Sequence, residues 1–181
     1  MSAAPCKHLK RGTDVAAKIT SMVLASSVVI RPAMERDLEG IVSLNRASLP
    51  ENYLPEFFEN LLRVYGEYFL AAEIEGHLVG YVMCRIELGM HQNGSFGIIK
   101  KGHIVSLAVD KGQRRQGIGR ALVEEVMRRM KAAGLKECFL EVRVTNEPAI
   151  RLYEKLGFRA HRRVTGYYSD GTDGFIMSIT L

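Results

Sequence analysis

The chain has 181 residues, of which 47% are hydrophobic and 25% are charged, a composition that predicts one globular domain with its own core. Its formal net charge is +5, but residues 1–27 hold four basic side chains against one Asp, a net of +3, which leaves +2 for the rest. This nearly neutral remainder has no RNA-binding aromatic motif and no Cys/His finger spacing, which argues against a nucleic-acid-binding protein.

Residues 1–27 are predicted to form a basic, disordered leader ahead of a single domain at 28–181. The apolar run at 19–25 follows basic residues, as in a secretory signal, but Lys18 adjoins the run and the run is short. Export and a true start at Met22 are the alternatives to a disordered leader. No segment approaches the roughly 18 uninterrupted apolar residues of a membrane span, so no membrane contact is expected.

The domain is predicted to alternate between strands and amphipathic helices, which indicates an α/β (α+β) fold. In chain order the predicted elements are an extended segment 28–31, a helix after Pro32, a helix 56–65 capped by Gly66 in the left-handed conformation, strands 68–74 and 78–88 joined by the turn Glu75-Gly76, a polar loop 89–102 and a strand 103–109. They continue with a helix 117–133 that stops at Gly134, a strand 138–144, a helix from the cap Asn146 to Leu156, and closing strands 158–165 and 174–180. On the helix 117–133, Glu124 is expected to pair with Arg128, and Glu125 with Arg129.

A loop rich in Arg and Gly separates the strand 103–109 from the helix that follows it. Its sequence is Arg114-Arg115-Gln116-Gly117-Ile118-Gly119, with Arg120 next. Glycines let the backbone approach an anion, a helix N-terminus offers unpaired N–H groups, and the Arg side chains add positive charge. A P-loop would need Lys and then Ser or Thr after Gly117, and a dinucleotide fingerprint would need a third Gly where Leu122 stands. The loop therefore predicts a pyrophosphate site of another kind, with a solvated turn as the alternative.

This Arg-x-x-Gly-x-Gly pattern between a strand and a helix resembles the acetyl-CoA signature of the GNAT superfamily of N-acetyltransferases. Further segments resemble the archaeal N-terminal (N-alpha) acetyltransferases, relatives of the NatA catalytic subunit and of RimI-like enzymes. These segments are 49–53, 101–109, 140–143, 146, 148–158 and 166–171. The resemblance covers 28–181 and implies the GNAT fold, with a mixed, mostly antiparallel sheet, a splayed strand pair and about four helices. It also implies an enzyme that transfers the acetyl group of acetyl-CoA to the α-amino group of protein N-termini. The need for acetyl-CoA, together with reduced thiols, predicts a cytoplasmic location.

The resemblance implies a groove for acetyl-CoA along the splayed strand. Main-chain groups of Leu107, Ala108 and Val109 would hold pantetheine, and a backbone amide there would polarise the thioester oxygen. The other implied coenzyme contacts are Arg114, Arg115, Gln116, Gly117, Ile118, Gly119 and Arg120 at the pyrophosphate, and Asn146, Tyr153, Glu154 and Lys155 along the groove. A helix N-cap is the alternative role for Asn146, and it does not exclude contact with the coenzyme.

His103, Glu141 and Tyr153 are the catalytic residues that the resemblance implies. Glu141 lies in an apolar strand pattern, where a carboxylate needs a partner or a function, and His103 begins a strand expected beside it. These two would hold an ordered water and relay a proton from the substrate amine, and Tyr153 would protonate the departing thiolate. The alternatives are an ion pair of Glu141 with Arg143, a capping role for His103, and core packing for Tyr153.

Two loops are implied to bind the peptide substrate. The implied contacts are Leu49, Glu51, Tyr53, Arg143, Tyr167 and Tyr168. Polar groups there would hold the first peptide bonds without reading most side chains, which predicts relaxed specificity for Ser, Ala and Met N-termini. An exposed aromatic turn is the alternative for the two adjacent tyrosines. Because an α-amine titrates near ~7.7–8.0 and a lysine near ~10.4, the α-amine is the better acceptor at neutral pH.

The remaining predictions concern metals, thiols and partners. No metal site is expected, because the five histidines lack ligand spacing. Three scattered cysteines, Cys6, Cys84 and Cys138, predict reduced thiols in a cytosolic protein. The ribosome is a candidate partner, DNA is not, and a monomer or weak dimer is expected. A lysine, a ribosomal-protein N-terminus or a small amine is the alternative acceptor, and a coenzyme-binding module without turnover is the alternative from another class.

Overall fold

The structure, a computed structural model, describes residues 28–92, 94 and 96–181, so the predicted leader lies outside the described residues. Seven strands and four α-helices are found in this part of the chain. The strands are β1 (Val29–Pro32), β2 (Phe69–Ile74), β3 (His77–Met90), β4 (Ile98–Val109), β5 (Glu137–Arg143), β6 (Arg159–Val164) and β7 (Gly174–Thr180). The helices are α1 (Leu38–Ser48), α2 (Pro55–Tyr65), α3 (Ile118–Ala132) and α4 (Glu147–Lys155). Short 3-10 turns occur at Glu35–Asp37, Gly66–Tyr68 and Lys111–Gln113.

All these strands belong to one sheet, in the order β1-β2-β3-β4-β5-β7-β6. Strands β4 and β5 are parallel, and every other neighbouring pair in the described sheet is antiparallel. The β4–β5 ladder runs from Lys101 opposite Glu137 to Ile104 opposite Leu140 and then stops. Beyond it β4 continues to Val109 paired with β3 alone, while β5 stays paired with β7. The predicted fold class, with its splayed strand pair, is confirmed.

A β-bulge in β4 lies where this strand separates from β5. Met83 on β3 faces Ser106, and the next residue, Cys84, faces Ile104, so that Val105 has no opposite residue. A bulge bends its strand and increases the local twist, which moves the end of β4 away from β5. The Ser106 hydroxyl is hydrogen-bonded to the buried Tyr81 hydroxyl at 2.7 Å, and Tyr81 accepts a bond of 2.9 Å from Asn45 on α1. This buried network fixes α1 against the bulged strand.

Helices cover both faces of the sheet, because apolar residues recur at helical spacing on each helix and alternate along the strands. One core contains Ile41 from α1, Phe58 from α2 and Tyr81 from β3, all fully buried. The second core contains Leu122 from α3 and Tyr153 from α4. The opening between β4 and β5 therefore has a helical layer on each side.

Two predicted boundaries near α1 and α2 are wrong. Gly66 has a φ of −53°, in the right-handed region, because the chain continues directly from α2 into a 3-10 turn. Pro32 is the last residue of β1, and α1 begins only at Leu38, after another 3-10 turn. Asp37 ends that turn, accepting a hydrogen bond from the Met34 amide at 2.8 Å.

The loop predicted at 89–102 is also wrong in its extent, because β3 runs to Met90 and β4 begins at Ile98. The end of the hairpin is tied to neighbouring elements by polar contacts. The amide of Gln92 donates to the buried Glu137 carboxylate at 3.1 Å, and the Lys101 ammonium donates to the Met90 carbonyl at 2.9 Å. These bonds satisfy buried polar groups in a stretch whose composition suggested a loop.

The ion pairs on α3 differ in part from the expected set. Glu125 pairs with Arg129 as predicted, but it also binds Arg128, and Glu124 pairs with Arg120. The predicted Glu124–Arg128 pair is therefore wrong. Residues three and four positions apart are both neighbours on a helix surface, so one carboxylate can compete successfully for an Arg that another could reach.

Cys84 and Cys138 are buried free thiols, and burial raises the pKa of each. A thiol with a raised pKa forms little reactive thiolate at neutral pH. Across residues 28–92, 94 and 96–181, no helix combines the length and the apolar character that crossing a membrane requires.

Candidate active site

The Arg/Gly loop (residues 114–120) lies between β4 and α3. Asp110 caps the preceding 3-10 turn by accepting a hydrogen bond from the Gly112 amide at 2.8 Å. Gly117 has a φ of 85°, which its missing Cβ permits, and Arg115 has a φ of 63°, a costly conformation for a residue with a side chain. Backbone strain of this kind is typical of ligand-binding loops, and the loop leads directly into the N-terminus of α3 at Ile118.

A cavity of about 620 Å³, here called the coenzyme cavity, lies beside this loop and the unpaired end of β4. Its lining includes most of the predicted coenzyme residues: Leu107, Ala108, Val109, Arg114, Arg115, Gly117, Ile118, Gly119, Arg120 and Asn146. Because β4 has no neighbour on its β5 side there, its main-chain groups on that side are available to a ligand, except the Val109 carbonyl, which accepts a hydrogen bond from Arg114 Nε at 3.0 Å. Asn146 also caps α4 by accepting a bond from the Ala149 amide at 3.3 Å, so both roles considered for it coexist.

A second cavity of about 210 Å³, here called the acceptor cavity, adjoins the first at the splay. The two share lining residues, namely Ser48, Leu49, Leu107, Asn146 and Ala149. The acceptor cavity is also lined by Glu51, Tyr53, Glu141, Arg143, Tyr153, Tyr167 and Tyr168. The structure thus brings a predicted base, a predicted acid and the predicted peptide contacts to one end of the coenzyme cavity.

His103 stands between two carboxylates. Its Nε2 lies 2.7 Å from Glu141 Oε2, and its Nδ1 lies 3.0 Å from Glu87 Oε1. The ring stacks on Phe139, with 4.4 Å between the centroids and 14° between the planes. Glu141 lines the acceptor cavity, whereas His103 is buried behind it. A substrate amine in the cavity would therefore meet Glu141 first.

Tyr153 is buried on α4 and packs edge-on against Phe158, with centroids 5.5 Å apart. Its place in the acceptor cavity lining shows that core packing is compatible with a chemical role. Burial raises the pKa of its phenol well above the ordinary value. The group is therefore protonated at neutral pH and can donate a hydrogen bond.

Arg143, at the end of β5, joins the two loops that flank the acceptor cavity. Its guanidinium binds Glu51 Oε1 at 2.7 Å and Asp170 Oδ2 at 2.7 Å, and it lies over the Tyr168 ring at 4.1 Å from the centroid. The predicted alternative, an ion pair between Glu141 and Arg143, is not formed, since Arg143 binds these loop carboxylates and Glu141 binds His103.

Three tyrosines form much of the acceptor cavity wall. Tyr167 and Tyr168 meet edge to face at 5.0 Å, and Tyr53 stacks on Phe57 at 4.7 Å. Burial and the nearby Glu141 raise the pKa of Tyr167 to about 12, and burial also raises the pKa of Tyr53. All of them are hydrogen-bond donors at neutral pH, so the wall suits the carbonyl groups of a peptide backbone.

Comparisons with known proteins agree with this geometry. The model of the acetyltransferase (GNAT) family matches residues 38–158. An N-alpha-acetyltransferase of Sulfurisphaera tokodaii is 45% identical over 154 residues, which are 84% of this chain and 92% of that protein. The solved structure of a NatC complex bound to Gag peptide and CoA contains a chain with a TM-score of 0.77 and 28% identity, covering 86% of this chain and 99% of that one.

Arabidopsis thaliana NAA60, solved with acetyl-CoA, has a TM-score of 0.75 and 28% identity over 86% of this chain and all of that one (100%). The chain belongs to the GNAT acetyltransferase family. The predicted family, and with it an acyltransferase that uses acetyl-CoA, is confirmed.

Not every predicted site residue of this GNAT enzyme lines a cavity. Gln116 is hydrogen-bonded to Gln113 at 2.9 Å, and Glu154 and Lys155 are exposed on α4 outside the coenzyme cavity lining. Glu87, by contrast, was not singled out from the sequence, although it touches His103 directly. The sequence signal for Glu87 is an Arg-x-Glu spacing at the end of a predicted strand. Its contact with His103 could be predicted only if the register of the neighbouring strand were known.

Metal ions have no evident place in this arrangement. Within residues 28–92, 94 and 96–181, no group of three or more His, Cys, Asp or Glu side chains is arranged to hold one. His103 uses both ring nitrogens in contacts with carboxylates, so it offers no lone pair that is free of a partner.

Proposed function

We propose that this chain is an N-alpha-acetyltransferase, which transfers the acetyl group of acetyl-CoA to the free α-amino group of protein N-termini. One observation carries the proposal: Glu141, supported by His103, lines a cavity that meets the coenzyme cavity at the β4–β5 splay. Relatives of this chain support an α-amino group as the acceptor, since several similar archaeal proteins are named N-alpha-acetyltransferases.

The coenzyme would lie along the unpaired end of β4. The Arg/Gly loop and the N-terminus of α3 would bind the pyrophosphate through backbone amides and guanidinium groups. Beyond Ile104, where β5 no longer pairs with β4, pantetheine would take its place and bind main-chain groups in the segment Leu107, Ala108 and Val109. Its thioester would then lie near the residues shared by both cavities.

Acetyl transfer requires the loss of one proton from the amine and the gain of one by the thiolate. In the proposed reaction the α-ammonium group first loses a proton to solvent, and the neutral amine attacks the acetyl carbon. The Glu141–His103 pair then takes, through an ordered water, the second proton that the nitrogen loses as the amide forms. A β4 amide stabilises the charge that forms on the carbonyl oxygen. The carbon–sulfur bond breaks, the amide forms, and Tyr153 protonates the CoA thiolate and is later reprotonated from solvent.

Chemistry favours an α-amine over a lysine as the acceptor. The ordinary pKa values differ by about 2.5 units, so at neutral pH an α-amine is unprotonated roughly 300 times more often than a lysine side chain. A carboxylate backed by an imidazole is a modest base that suffices for the α-amine. The narrow acceptor cavity, about 210 Å³, also suits a chain end.

Specificity would come from the first few residues of the acceptor. Leu49 and Glu51 line the acceptor cavity on one side, and Tyr167 and Tyr168 line it on the other. Tyrosine hydroxyls and backbone groups there would bind the first peptide bonds, which every protein shares. We therefore expect relaxed specificity, with Ser, Ala and Met N-termini accepted. We also expect the enzyme to act in the cytoplasm, with the ribosome as a candidate partner.

A panel of acceptors tests this proposal. We would measure initial rates with peptides that start with Ser, Ala, Met or Glu, with an N-blocked peptide that contains lysine, and with a free polyamine. We expect the peptides that start with Ser, Ala or Met to be acetylated at rates far above those of the N-blocked peptide and the polyamine. Faster acetylation of the lysine peptide or of the polyamine would overturn the proposal.

The matched variant is Glu141→Gln, which preserves shape and removes the charge. It should lower kcat by about 10²–10⁴-fold, the usual contribution of a general base. Its affinity for acetyl-CoA should not change, because Glu141 lies outside the coenzyme cavity lining. Full activity in this variant would exclude Glu141 as the base. The class of acceptor would still be decided by the rates with the peptide panel.

A further inference from the structure

Glu87 makes a contact with His103 that the proposed chemistry does not yet use. It lies on β3, where Arg85 is opposite His103 in the ladder, and its Oε1 is 3.0 Å from His103 Nδ1. Glu141 approaches the other end of the same ring at 2.7 Å. Of the two carboxylates, Glu141 lines the acceptor cavity and Glu87 does not.

The ring of His103 needs both of these contacts to have one orientation. Stacking on Phe139 fixes the plane of the imidazole, at 14° to the phenyl plane, but a half-turn about the Cβ–Cγ bond keeps that plane and exchanges each nitrogen with a carbon. Hydrogen bonds at Nδ1 and Nε2, on opposite sides of the ring, remove that freedom. Glu87 itself is held by Arg85, whose Nε donates to the same oxygen at 2.6 Å.

Counting protons shows what Glu87 imposes on the ring. Burial alone would raise the pKa of Glu87, but hydrogen bonds from His103 and Arg85 outweigh it and the pKa is lowered. Glu87 is therefore an ionised acceptor at neutral pH, so Nδ1 must carry the hydrogen. Nε2, which lies 2.7 Å from Glu141 Oε2, is then the nitrogen left to exchange a proton with Glu141.

We propose that Glu87 is a positioning residue for acetyl transfer, which holds His103 with its Nδ1–H directed away from the acceptor cavity and its Nε2 directed at Glu141. This inference rests on the proposed function, in which Glu141 takes the proton from the substrate amine. Fixed in this way, His103 can share a proton with only one partner on the cavity side, the base itself. Metal ligands and His-containing catalytic groups are commonly oriented by carboxylates in the same manner.

Two variants separate orientation from charge. Glu87→Gln keeps an oxygen that can accept the Nδ1–H but removes the negative charge, whereas Glu87→Ala removes both. Glu125→Gln on α3 is the matched control, because Glu125 also binds Arg side chains and lies away from His103. We would measure kcat, the two KM values, the pH profile and the melting temperature of each full-length variant.

We expect Glu87→Ala to lower kcat about 10–100-fold, with KM for acetyl-CoA within about twofold of wild type. Glu87→Gln should recover most of that kcat. Loss of the negative charge of Glu87 should change the pH profile of kcat in both variants relative to wild type. The charged and titratable groups near the pair are Arg85 and Glu87 from β3, Lys101 of β4 over the Phe139 ring, and Tyr53, Tyr167 and Tyr168 from the loops.

An unchanged kcat in Glu87→Ala would overturn the inference. An equal loss of kcat in Glu87→Ala and Glu87→Gln, in proportion to a fall in melting temperature, would also overturn it, since that pattern indicates a structural role alone. A readout independent of activity is the nitrogen chemical shift of the His103 ring, assigned with His103→Asn. Wild type should show a protonated Nδ1, and Glu87→Ala should lose that preference, whereas the same tautomer in both proteins would contradict the inference even if no α-amine were acetylated.

Discussion

Arg143 offers the sharpest mutational prediction, because one side chain connects both walls of the acceptor cavity. We consider Arg143→Met, which preserves the aliphatic stem and removes the guanidinium. The lost contacts are two charge-assisted hydrogen bonds of 2.7 Å, to Glu51 and Asp170, and the stack over Tyr168. Without them the two loops lose the one side chain described as bonding to a carboxylate in each of them.

The expected magnitude follows from the exposure of each partner. The bond to Glu51, a side chain 30% exposed, is worth about 1.5 kcal/mol, the low end for a charged pair. The bond to Asp170 is exposed to solvent and adds little, and the cation–π contact contributes about 0.5–1 kcal/mol. A total of about 2–2.5 kcal/mol corresponds to a loss of roughly 30–70-fold in kcat/KM for the peptide.

Steady-state kinetics with a Ser-starting peptide is the assay, with acetyl-CoA varied in a separate series. KM for acetyl-CoA should be unchanged, because Arg143 lines the acceptor cavity and not the coenzyme cavity. Arg143→Lys is the control that retains the charge, and it should recover only part of the loss, since an ammonium lacks the planar fork that binds two carboxylates. Wild-type kcat/KM in Arg143→Met would refute the reasoning.

Three further substitutions test other parts of the account. Tyr153→Phe keeps the packed ring and should lower kcat about 100-fold without changing the melting temperature. A kcat equal to that of wild type, measured from initial rates of peptide acetylation, would exclude Tyr153 as the acid. Leu122→Ala, at a fully buried position, should cost about 3 kcal/mol of unfolding free energy in urea titrations, and a cost below about 1 kcal/mol would contradict the described core. Asp37→Asn should cost about 2–3 kcal/mol at pH 7, because Asp37 is buried and binds Arg31 at 2.6 Å. Because hydrogen bonding to Arg31 lowers the pKa of Asp37, its contribution is present above the ordinary value of 3.8 and is lost as the pH falls through the lower folded-state pKa. The difference between wild type and this variant should therefore narrow below pH 3.8, and a constant difference would contradict the ion pair.

Local sequence patterns predicted most elements of the fold, because helix and strand periodicity are local properties. The turn at Glu75-Gly76 and the cap at Asn146 were predicted correctly, since each depends on one or two residues. The length of the β3–β4 hairpin was not, because it depends on tertiary contacts: the Gln92 amide binds the buried Glu137, which lies outside the segment in sequence, and Lys101 binds Met90 across the hairpin. Tertiary contacts of this kind override the composition of a polar stretch.

The candidate site divides in the same way. Residues such as Glu141 and His103 could be selected because family motifs carry them, and the structure places them 2.7 Å apart. Glu87 and Asp170 could not, because their significance depends on strand register and on the approach of a loop. The bulge that leaves Val105 unpaired is likewise a property of the ladder rather than of any sequence motif.

The acceptor nitrogen is the central claim, and one peptide with a free Ser N-terminus and an internal lysine tests it most directly. After incubation with acetyl-CoA and this protein at pH 7, fragmentation mass spectrometry locates the added acetyl group. The account predicts a single acetyl group on the α-nitrogen, made by wild type and nearly absent with Glu141→Gln. Acetylation of the lysine while the α-amine stays free would contradict it.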